Sequence, residues 1–333
     1  MLVEMWLLGI DGGGTQTRAL IASADGRLLG VGRAGSSNYH SVGLEAAVAA
    51  VAEAADAAVA EAVAAAHVHG HAKAAFLGLA GVRSAADHQA FREPLAALGL
   101  TDASERLGLD HDLRIALAGG CAEGPGIVII AGTGAAAYGR DPGGATAIVG
   151  GWGWLLDDQG SGVWLALRGL RAIMEATDGR GPRTRLEPAI FAELSVTSAR
   201  EAMQWTMRAD TARSQLASLA PVVLATAEDG DRVAQEIVAE GARQLGRLAR
   251  ALGETLEWPA GAAIPVVPAG GLLERRSYRD AVRTELAAAD VRFALLDAPA
   301  PPVAGAVFLA AELAGAPLSA AARQRLATEL ATR

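Results

Sequence analysis

The chain begins with a glycine-rich segment whose residue types are suited to binding phosphate. The segment reads Asp11-Gly12-Gly13-Gly14-Thr15-Gln16-Thr17 and follows a short apolar run. Glycines let a backbone approach a phosphate with its N–H groups exposed, and the hydroxyls of Thr15 and Thr17 can add donors. Because a carboxylate repels phosphate unless a divalent cation lies between them, we predict a hairpin phosphate loop with Asp11 near Mg²⁺. The alternative is a tight glycine turn between two strands.

Two other nucleotide-binding loops fit this segment poorly. A Walker loop requires a lysine, and Lys73 is the only lysine in the chain. A dinucleotide-binding loop leads from a strand into a helix and has a third glycine. Here position 17 is a threonine, and the residues after it read as a strand.

A second glycine loop follows another apolar strand. It contains Gly132-Thr133-Gly134, between Ala131 and Ala135. As a partner of the first loop it would hold the phosphates of a nucleotide from a second side, whereas alone it reads as another hairpin turn. Gly270-Gly271, after a further predicted strand, could face the base of a nucleotide or form a plain loop.

An acidic pair lies where a short predicted strand ends. Asp110-His111-Asp112 precedes a helix that we expect to start at Leu113. A carboxylate at the end of a strand is well placed to accept a proton from a hydroxyl. Asp112 is equally suited to be the N-cap of the helix, and the two roles are compatible.

Tryptophans cluster in a third glycine-rich stretch, over residues 150–162. Trp152, Trp154 and the nearby Trp164 accompany the carboxylates Asp157 and Asp158. An aromatic face beside carboxylates can hold a sugar, which has an apolar C–H face and polar hydroxyls. The alternative is that the rings fill the core beneath the loop.

The elements that must position these residues occur twice along the chain. Strands are predicted over 6–10, 18–22 and 28–31, and again over 126–131 and on both sides of 141–144. Gly12, Gly14 and Gly30 have counterparts 120 positions later, at 132, 134 and 150. The repeat predicts an α/β fold of two related domains that face one cleft. The clearest predicted helices cover 42–66, 85–98, 161–176, 228–252, 275–288 and 319–331, with Ser319 as the N-cap of the last.

Composition excludes several classes of protein. The 333 residues suffice for two domains, and a net charge of −8 disfavours binding to nucleic acid. No apolar run reaches about 18 residues, so we expect no membrane span, and the N-terminus lacks the basic region of a signal peptide. The single cysteine, Cys121, permits no internal disulfide and is compatible with the cytoplasm.

Taken together, the ordered motifs resemble a known family. DGGGT, a strand-end Asp, GTG, GGWG, DQGS and AGG follow one another as in N-acetylglucosamine kinases and the related BadF-type (BadF/BadG/BcrA/BcrD) ATPases. Both belong to the acetate and sugar kinase, heat-shock chaperone and actin superfamily. The resemblance extends from Leu8 to about Leu313. It implies two ribonuclease-H-like domains, which we place at 1–118 and 119–333, with the last helix free to pack back on the first domain.

The resemblance also implies roles for individual residues. ATP phosphates are expected on 12–17 and 132–134, with adenosine near Gly270-Gly271. Asp112, chosen over Asp110, is the expected base for the sugar 6-hydroxyl. The implied sugar contacts are Asn38, Thr133, Gly151, Trp152 and Asp158.

The expected reaction is therefore ATP- and Mg²⁺-dependent phosphorylation of N-acetylglucosamine or a close amino sugar. Many relatives have serine where this chain has Ala135, which leaves glucosamine, glucose and N-acetylmuramic acid as alternatives. An ATP-switched activator protein is the alternative of another class, but Cys121 alone cannot supply the iron–sulfur ligands of such activators. Relatives are often dimers, although the sequence shows no decisive interface signal.

Overall fold

The computed structural model describes residues 5–66, 68–122, 124–208, 212–289, 292–297 and 300–333. The chain divides into two compact units. The first comprises residues 1–124 together with 298–333, and the second comprises 125–297. This division differs from the predicted one, because the first unit continues to Gly124 and also contains the C-terminal segment.

The elements follow one another in a mixed α/β order. In chain order they are β1 (Trp6–Gly12), β2 (Thr17–Ser23), β3 (Leu28–Ala34), α1 (Tyr39–Val42), α2 (Leu44–Ala66), β4 (Ala74–Leu79), α3 (Ala85–Ala96), β5 (Leu107–Asp110), α4 (Asp112–Cys121), β6 (Gly126–Ala131), β7 (Ala135–Arg140), β8 (Thr146–Gly150), α5 (Gly162–Thr177), α6 (Leu186–Leu194), α7 (Ala199–Thr206), α8 (Arg213–Ala217), α9 (Ala220–Glu228), α10 (Arg232–Thr255), β9 (Ile264–Ala269), α11 (Gly271–Glu274), α12 (Arg276–Ala289), β10 (Phe293–Leu295), α13 (Pro302–Leu313) and α14 (Ala320–Ala331).

Both units are built on a five-stranded sheet of the same topology. The first sheet has the order β3-β2-β1-β4-β5 and the second has β8-β7-β6-β9-β10. In each sheet the first three strands in chain order pair with one another in antiparallel fashion. The fourth strand pairs in parallel with the first, and the fifth pairs in parallel with the fourth. The predicted α/β fold with a duplicated strand, glycine loop and strand is confirmed.

The long helix α2 covers one face of the first sheet at very short range. Its alanines favour a helix and leave little side-chain volume at the contact. A Cβ atom on Gly32 would lie 1.8 Å from the carbonyl oxygen of Ala54, and one on Gly30 would lie 2.2 Å from that of Ala58. Glycine is therefore required at both positions of β3 so that helix and strand can meet.

The C-terminal segment joins the first unit because α13 is apolar on all sides. Nine consecutive residues, Val303–Ala311, are buried, and the helix packs against β1 and α4. A Cβ atom on Gly305 would lie 1.9 Å from the carbonyl oxygen of Ile115 in α4. A helix with no polar face is stable only when it is enclosed, and the first sheet supplies that enclosure.

Capping residues decide where several helices begin. The Ser319 hydroxyl accepts a hydrogen bond from the backbone N–H of Ala322, as predicted for the N-cap of α14. The helix predicted from residue 228 instead begins at Arg232, because Gly230 adopts a positive φ and Asp231 caps α10 through the N–H of Ala234. Within the described ranges, no helix is both long and apolar enough to cross a membrane.

Candidate functional site

Three parallel strands of the first unit end at one edge of its sheet. In the register of β1, β4 and β5, Asp11 and Asp110 lie on either side of Gly78. The next residues along the chain, the glycine loop after β1 and the start of α4 after β5, lie at the same edge. Strand ends of parallel α/β sheets are the usual position of binding sites, and this edge contains the predicted acidic residues.

Asp11 and Asp112 are partly buried carboxylates that repel each other. Burial raises the pKa of Asp11 to about 7, repulsion from Asp112 acts in the same direction, and Arg18 opposes them. Burial also raises the pKa of Asp112, against the attraction of His111 and Arg83. Two such carboxylates favour a proton or a cation nearby, because either one relieves the repulsion.

The N-cap residue of α4 is His111 and not Asp112. The imidazole Nδ1 of His111 accepts a hydrogen bond of 3.1 Å from the backbone N–H of Arg114. Asp112 is the first residue of the helix, and its Oδ1 accepts a 3.0 Å bond from the N–H of Leu113. The alternative function of Asp112 as an N-cap is therefore wrong, because the preceding residue already occupies that position.

Asp110 is less available for chemistry than Asp112. Its Oδ2 lies 3.5 Å from the Nε of Arg114, and its Oδ1 accepts a 2.8 Å hydrogen bond from the N–H of His111. An ion pair and a backbone donor compensate its charge. Between the two aspartates that the sequence left open, the geometry favours Asp112.

The first glycine loop is anchored from below and exposed at its tip. The N–H of Gly13 donates to the carbonyl of Gln16 at 2.9 Å, while Gly14, Thr15 and Gln16 are exposed. Gly12 is buried, and a Cβ atom there would lie 2.2 Å from the Oγ of Ser37. The exposed residues of the loop are thus free to meet a ligand.

Thr17 has a different role from the predicted one. Its side chain is fully buried, and its hydroxyl donates to the carbonyl of Gly35 at 2.8 Å and lies 2.9 Å from the Oγ of Ser37. The hydroxyl therefore links Gly35 and Ser37, which follow β3, to the glycine loop. It is not directed at a phosphate. Of the two threonines, Thr15 is the exposed one.

Asn38 lies beside the same loop. As the N-cap of α1, its Oδ1 accepts a hydrogen bond of 3.2 Å from the backbone N–H of His40. Its Nδ2 lies 4.0 Å from where a Cβ of Gly14 would stand, and its Oδ1 lies 3.0 Å from that of Gly81. The carboxamide is partly exposed, so its amide hydrogens can reach a ligand at this edge.

The second glycine loop is anchored to a helix N-terminus. The carbonyl of Gly132 accepts a 2.7 Å hydrogen bond from the N–H of Gly162, the first residue of α5. The N–H of Gly132 in turn donates to the carbonyl of Gly134 at 2.9 Å. Thr133 is partly exposed at the tip of the loop. The N–H groups of Gly132 and Gly162 are thus committed within the loop, and Thr133 at the tip is the residue that can meet an anion.

Asp158 lies beneath this second loop. It is 4% exposed and adopts a left-handed φ of 56°. Its Oδ1 accepts a 3.3 Å hydrogen bond from the N–H of Ala135, and a Cβ atom on Gly134 would lie 2.9 Å from its Oδ2. The burial gives Asp158 a positioning role for the loop, which a sequence motif alone does not distinguish from direct contact with sugar.

The tryptophans of this region divide between surface and core. Trp152 is 79% exposed, so the alternative that it fills the core is wrong for this ring. Trp154 and Trp164 do pack against the core of the second unit. Gly151, with a φ of 72°, turns the chain just before Trp152. The loop therefore presents one aromatic ring to solvent and retains the others.

Gly270 and Gly271 differ in their surroundings. A Cβ atom on Gly270, which has a φ of 86°, would lie 2.5 Å from the carbonyl oxygen of Ala131. Glycine is required there so that the chain after β9 can pass the end of β6. Gly271 is exposed and faces open space, so it is the one of the pair that could contact a ligand.

Two charged residues of the first unit were not foreseen from the sequence. Arg18 on β2 and Arg83 after β4 act electrostatically on Asp11 and Asp112, respectively. Neither belongs to a motif, and only the fold brings them near the carboxylates. Within the ranges that the structure describes, no group of three or more His, Cys, Asp or Glu residues could hold a metal. A cation here would bind through few protein oxygens, as Mg²⁺ commonly does.

Comparison with known proteins identifies the family. The model of the BadF/BadG/BcrA/BcrD ATPase family matches residues 8–310, and the chain therefore belongs to this family. It is 29% identical over 273 residues to the N-acetylmuramic acid/N-acetylglucosamine kinase of Clostridium acetobutylicum, covering 82% of this chain and 87% of that protein. It is 30% identical over 276 residues to the N-acetyl-D-glucosamine kinase of Dictyostelium discoideum, covering 81% and 86%.

Solved structures agree with this assignment. A Chromobacterium violaceum protein described as a candidate N-acetylglucosamine kinase has a TM-score of 0.71 and 27% identity, covering 92% of this chain and 99% of that one. The resemblance found in the ordered motifs is confirmed. A ROK hexokinase from Thermus thermophilus, with a TM-score of 0.52 and 18% identity, shares the fold.

Proposed function

We propose that this protein is an ATP-dependent kinase that phosphorylates the 6-hydroxyl of N-acetylglucosamine or a close amino sugar. The observation that carries the proposal is the pair of partly buried carboxylates, Asp11 and Asp112, at the strand-end edge beside a glycine loop. Membership of an ATPase family and similarity to two curated amino-sugar kinases support this class of reaction.

Asp112 would be the catalytic base. Phosphoryl transfer requires mainly positioning and charge neutralisation, with one carboxylate that orients the attacking hydroxyl. Burial raises the pKa of Asp112, which makes the carboxylate a better proton acceptor than an ordinary surface aspartate. Its place at the start of α4, where the backbone N–H of Leu113 holds one oxygen, leaves the other oxygen for the hydroxyl.

Asp11 would hold Mg²⁺. Its carboxylate oxygens fit that ion, because such oxygens are preferred ligands of Mg²⁺. A bound cation would also relieve the repulsion from Asp112. The ion supplies charge neutralisation to the phosphates when it is bound. The exposed backbone of residues 14–16, and the tip of the second loop at Thr133, would bind phosphate oxygens.

The sugar would be held by polar and aromatic groups. Asn38 offers a partly exposed carboxamide beside the first loop, and Trp152 offers an exposed ring in the second unit. An indole in water gains from covering the apolar face of a sugar. The buried carboxylate of Asp158 would act on the sugar only through the loop that it supports.

N-acetylmuramic acid is a specific second candidate. The Clostridium relative is described as a kinase of both N-acetylmuramic acid and N-acetylglucosamine. Ala135 lacks a hydroxyl that many relatives have, and its side chain is buried. Glucosamine and glucose remain further candidates on the same fold. Because ATP is supplied inside the cell, we place the reaction in the cytoplasm.

The decisive experiment measures ADP release with Mg²⁺ against a panel of these four sugars. We expect the highest kcat/KM for an N-acetylated sugar, with the product phosphorylated at the 6-position by NMR. A preference for glucose would move the assignment to another substrate. If no sugar stimulates turnover above slow ATP hydrolysis, the kinase assignment is wrong.

A further inference from the structure

A cavity of about 430 Å³ lies within the first unit, and Arg18 is the one residue of the candidate site among those that line it. Its floor is the face of β2 and β3 that points toward the C-terminal helices. Its walls are the start of α13, with Val303, and one side of α14, with Leu330, while Leu20 lies on the floor. Most of the lining is apolar, and the volume is in the range of small-molecule sites.

Two arginines stand opposite each other on the floor of this cavity. Arg18 and Arg33 are paired residues in the antiparallel register of β2 and β3, and both line the cavity. Like charges at directly opposed positions of a sheet destabilise it. In a chain with a net charge of −8, such a pair is not explained by a general excess of cations.

Neither guanidinium has an ion-pair partner in the described part of the chain. The Nε of Arg18 is buried and makes no hydrogen bond there. Arg18 does lower the pKa of Asp11, the residue opposite it in the register of β1 and β2, but the two form no ion pair in the described part of the chain. The described residues that line the cavity include no Asp or Glu. The third lining arginine, Arg333, pairs with Glu61 and is already compensated.

We propose that this cavity binds a small organic anion, with an oxyanion group on Arg18 and Arg33 and an apolar body against α13 and α14. Guanidinium groups bind phosphate and carboxylate oxygens in charge-assisted pairs, and such a pair would remove the repulsion across the two strands. The start of α13 adds only the N–H of Val303 at the same wall, because residues 301 and 302 are prolines without a backbone N–H. The volume accommodates a body larger than a free phosphate ion.

The test measures binding of three probes to the full chain by calorimetry, with saturating ADP present. Phenyl phosphate and benzoate carry an apolar body with a phosphate or a carboxylate, and inorganic phosphate lacks the body. We expect one of the first two to bind with 1:1 stoichiometry and more tightly than inorganic phosphate. Their order identifies the oxyanion. No binding by any of the three at millimolar concentration would overturn the proposal.

Variants locate the bound probe. Arg33→Gln removes one cation from an exposed position and should weaken binding by about tenfold or more. Ala327→Phe, which fills the cavity from α14, should abolish binding while both arginines remain. Arg92→Gln makes the same charge change on the exposed surface of α3 and should leave binding unchanged. Equal affinity in Arg33→Gln and Arg92→Gln would refute the site. Because no turnover is measured, failure here leaves the kinase proposal intact.

Discussion

The two units share one sheet topology but differ in charge at equivalent strand ends. Asp11, at the end of β1, corresponds to Ala131 at the end of β6, 120 positions later. The first is a carboxylate whose pKa is raised by burial and by Asp112, and the second is a fully buried methyl group. The same scaffold therefore ends its central strand with a carboxylate in one unit and with a methyl group in the other.

The glycine loops differ in their supports as well. The loop after β1 rests on the buried Thr17 and Ser37, whereas the loop after β6 rests on the start of α5 and on Asp158. A duplicated fold thus keeps its backbone while each copy acquires its own anchoring groups.

The largest expected effect is the loss of kcat caused by a substitution at Asp112. Asp112→Asn keeps the size of the side chain but removes the proton acceptor, and kcat should fall by about 10²- to 10⁴-fold with ATP affinity retained. Steady-state kinetics and nucleotide titration measure the two quantities. Asp110→Asn is the matched control, and it should cost less than about tenfold because Asp110 is paired with Arg114. A larger loss in the control would transfer the base to Asp110.

The acidic edge should also appear in the pH dependence of stability. Burial raises the pKa of Asp11 to about 7 from an ordinary 3.8, so the folded state disfavours its ionised form. The resulting loss of stability develops as pH rises from about 4 to about 7 and is constant above. Without Mg²⁺, Asp11→Asn should therefore stabilise the protein by about 1–2 kcal/mol at pH 8, and by less at pH 5.

Urea unfolding at the two pH values measures this difference. Added Mg²⁺ should stabilise the original protein more than Asp11→Asn, since the ion relieves the repulsion with Asp112 only when Asp11 can bind it. A variant that is less stable than the original protein at pH 8 would show that Asp11 is favourably paired in its ionised form.

A stability effect of similar size should distinguish the supports of the two loops. Gly12→Ala would bring a Cβ within 2.2 Å of the Ser37 Oγ and 2.4 Å of Leu79, and should destabilise the protein by about 1–3 kcal/mol. At the equivalent Gly132 a Cβ would meet no atom within 4 Å among the described residues, so Gly132→Ala should stay within about 0.5 kcal/mol. Unfolding curves of both variants test the contrast, and equal losses would contradict it.

The smallest expected effect concerns the aromatic loop of the second unit. Trp152→Ala removes a ring that is 79% exposed, so stability should stay within about 0.5 kcal/mol while KM for the sugar rises several-fold. Trp154→Ala is the comparison, because Trp154 packs against the core and its loss should lower the melting temperature. An unchanged KM in Trp152→Ala would remove this ring from the sugar site.

Local patterns in the sequence determined the elements and the family. Glycine loops after apolar strands, the Ala-rich α2 and the cap at Ser319 are short-range features, and the structure confirms them. The 120-residue repeat predicted two related sheets for the same reason, since each copy carries its own strand and turn signals. The order of the motifs also identified the family correctly.

Only the tertiary structure decided which of these groups are available for chemistry. The Thr17 hydroxyl is buried and hydrogen-bonds to Gly35 and Ser37, and the buried Asp158 carboxylate lies beneath the second glycine loop. From the sequence, both residues were predicted to contact a ligand. The opposition of Arg18 and Arg33 and the return of α13 to the first sheet join residues far apart along the chain. Spacing along a chain records which groups are present, but exposure, pairing and pKa depend on neighbours that only folding brings together.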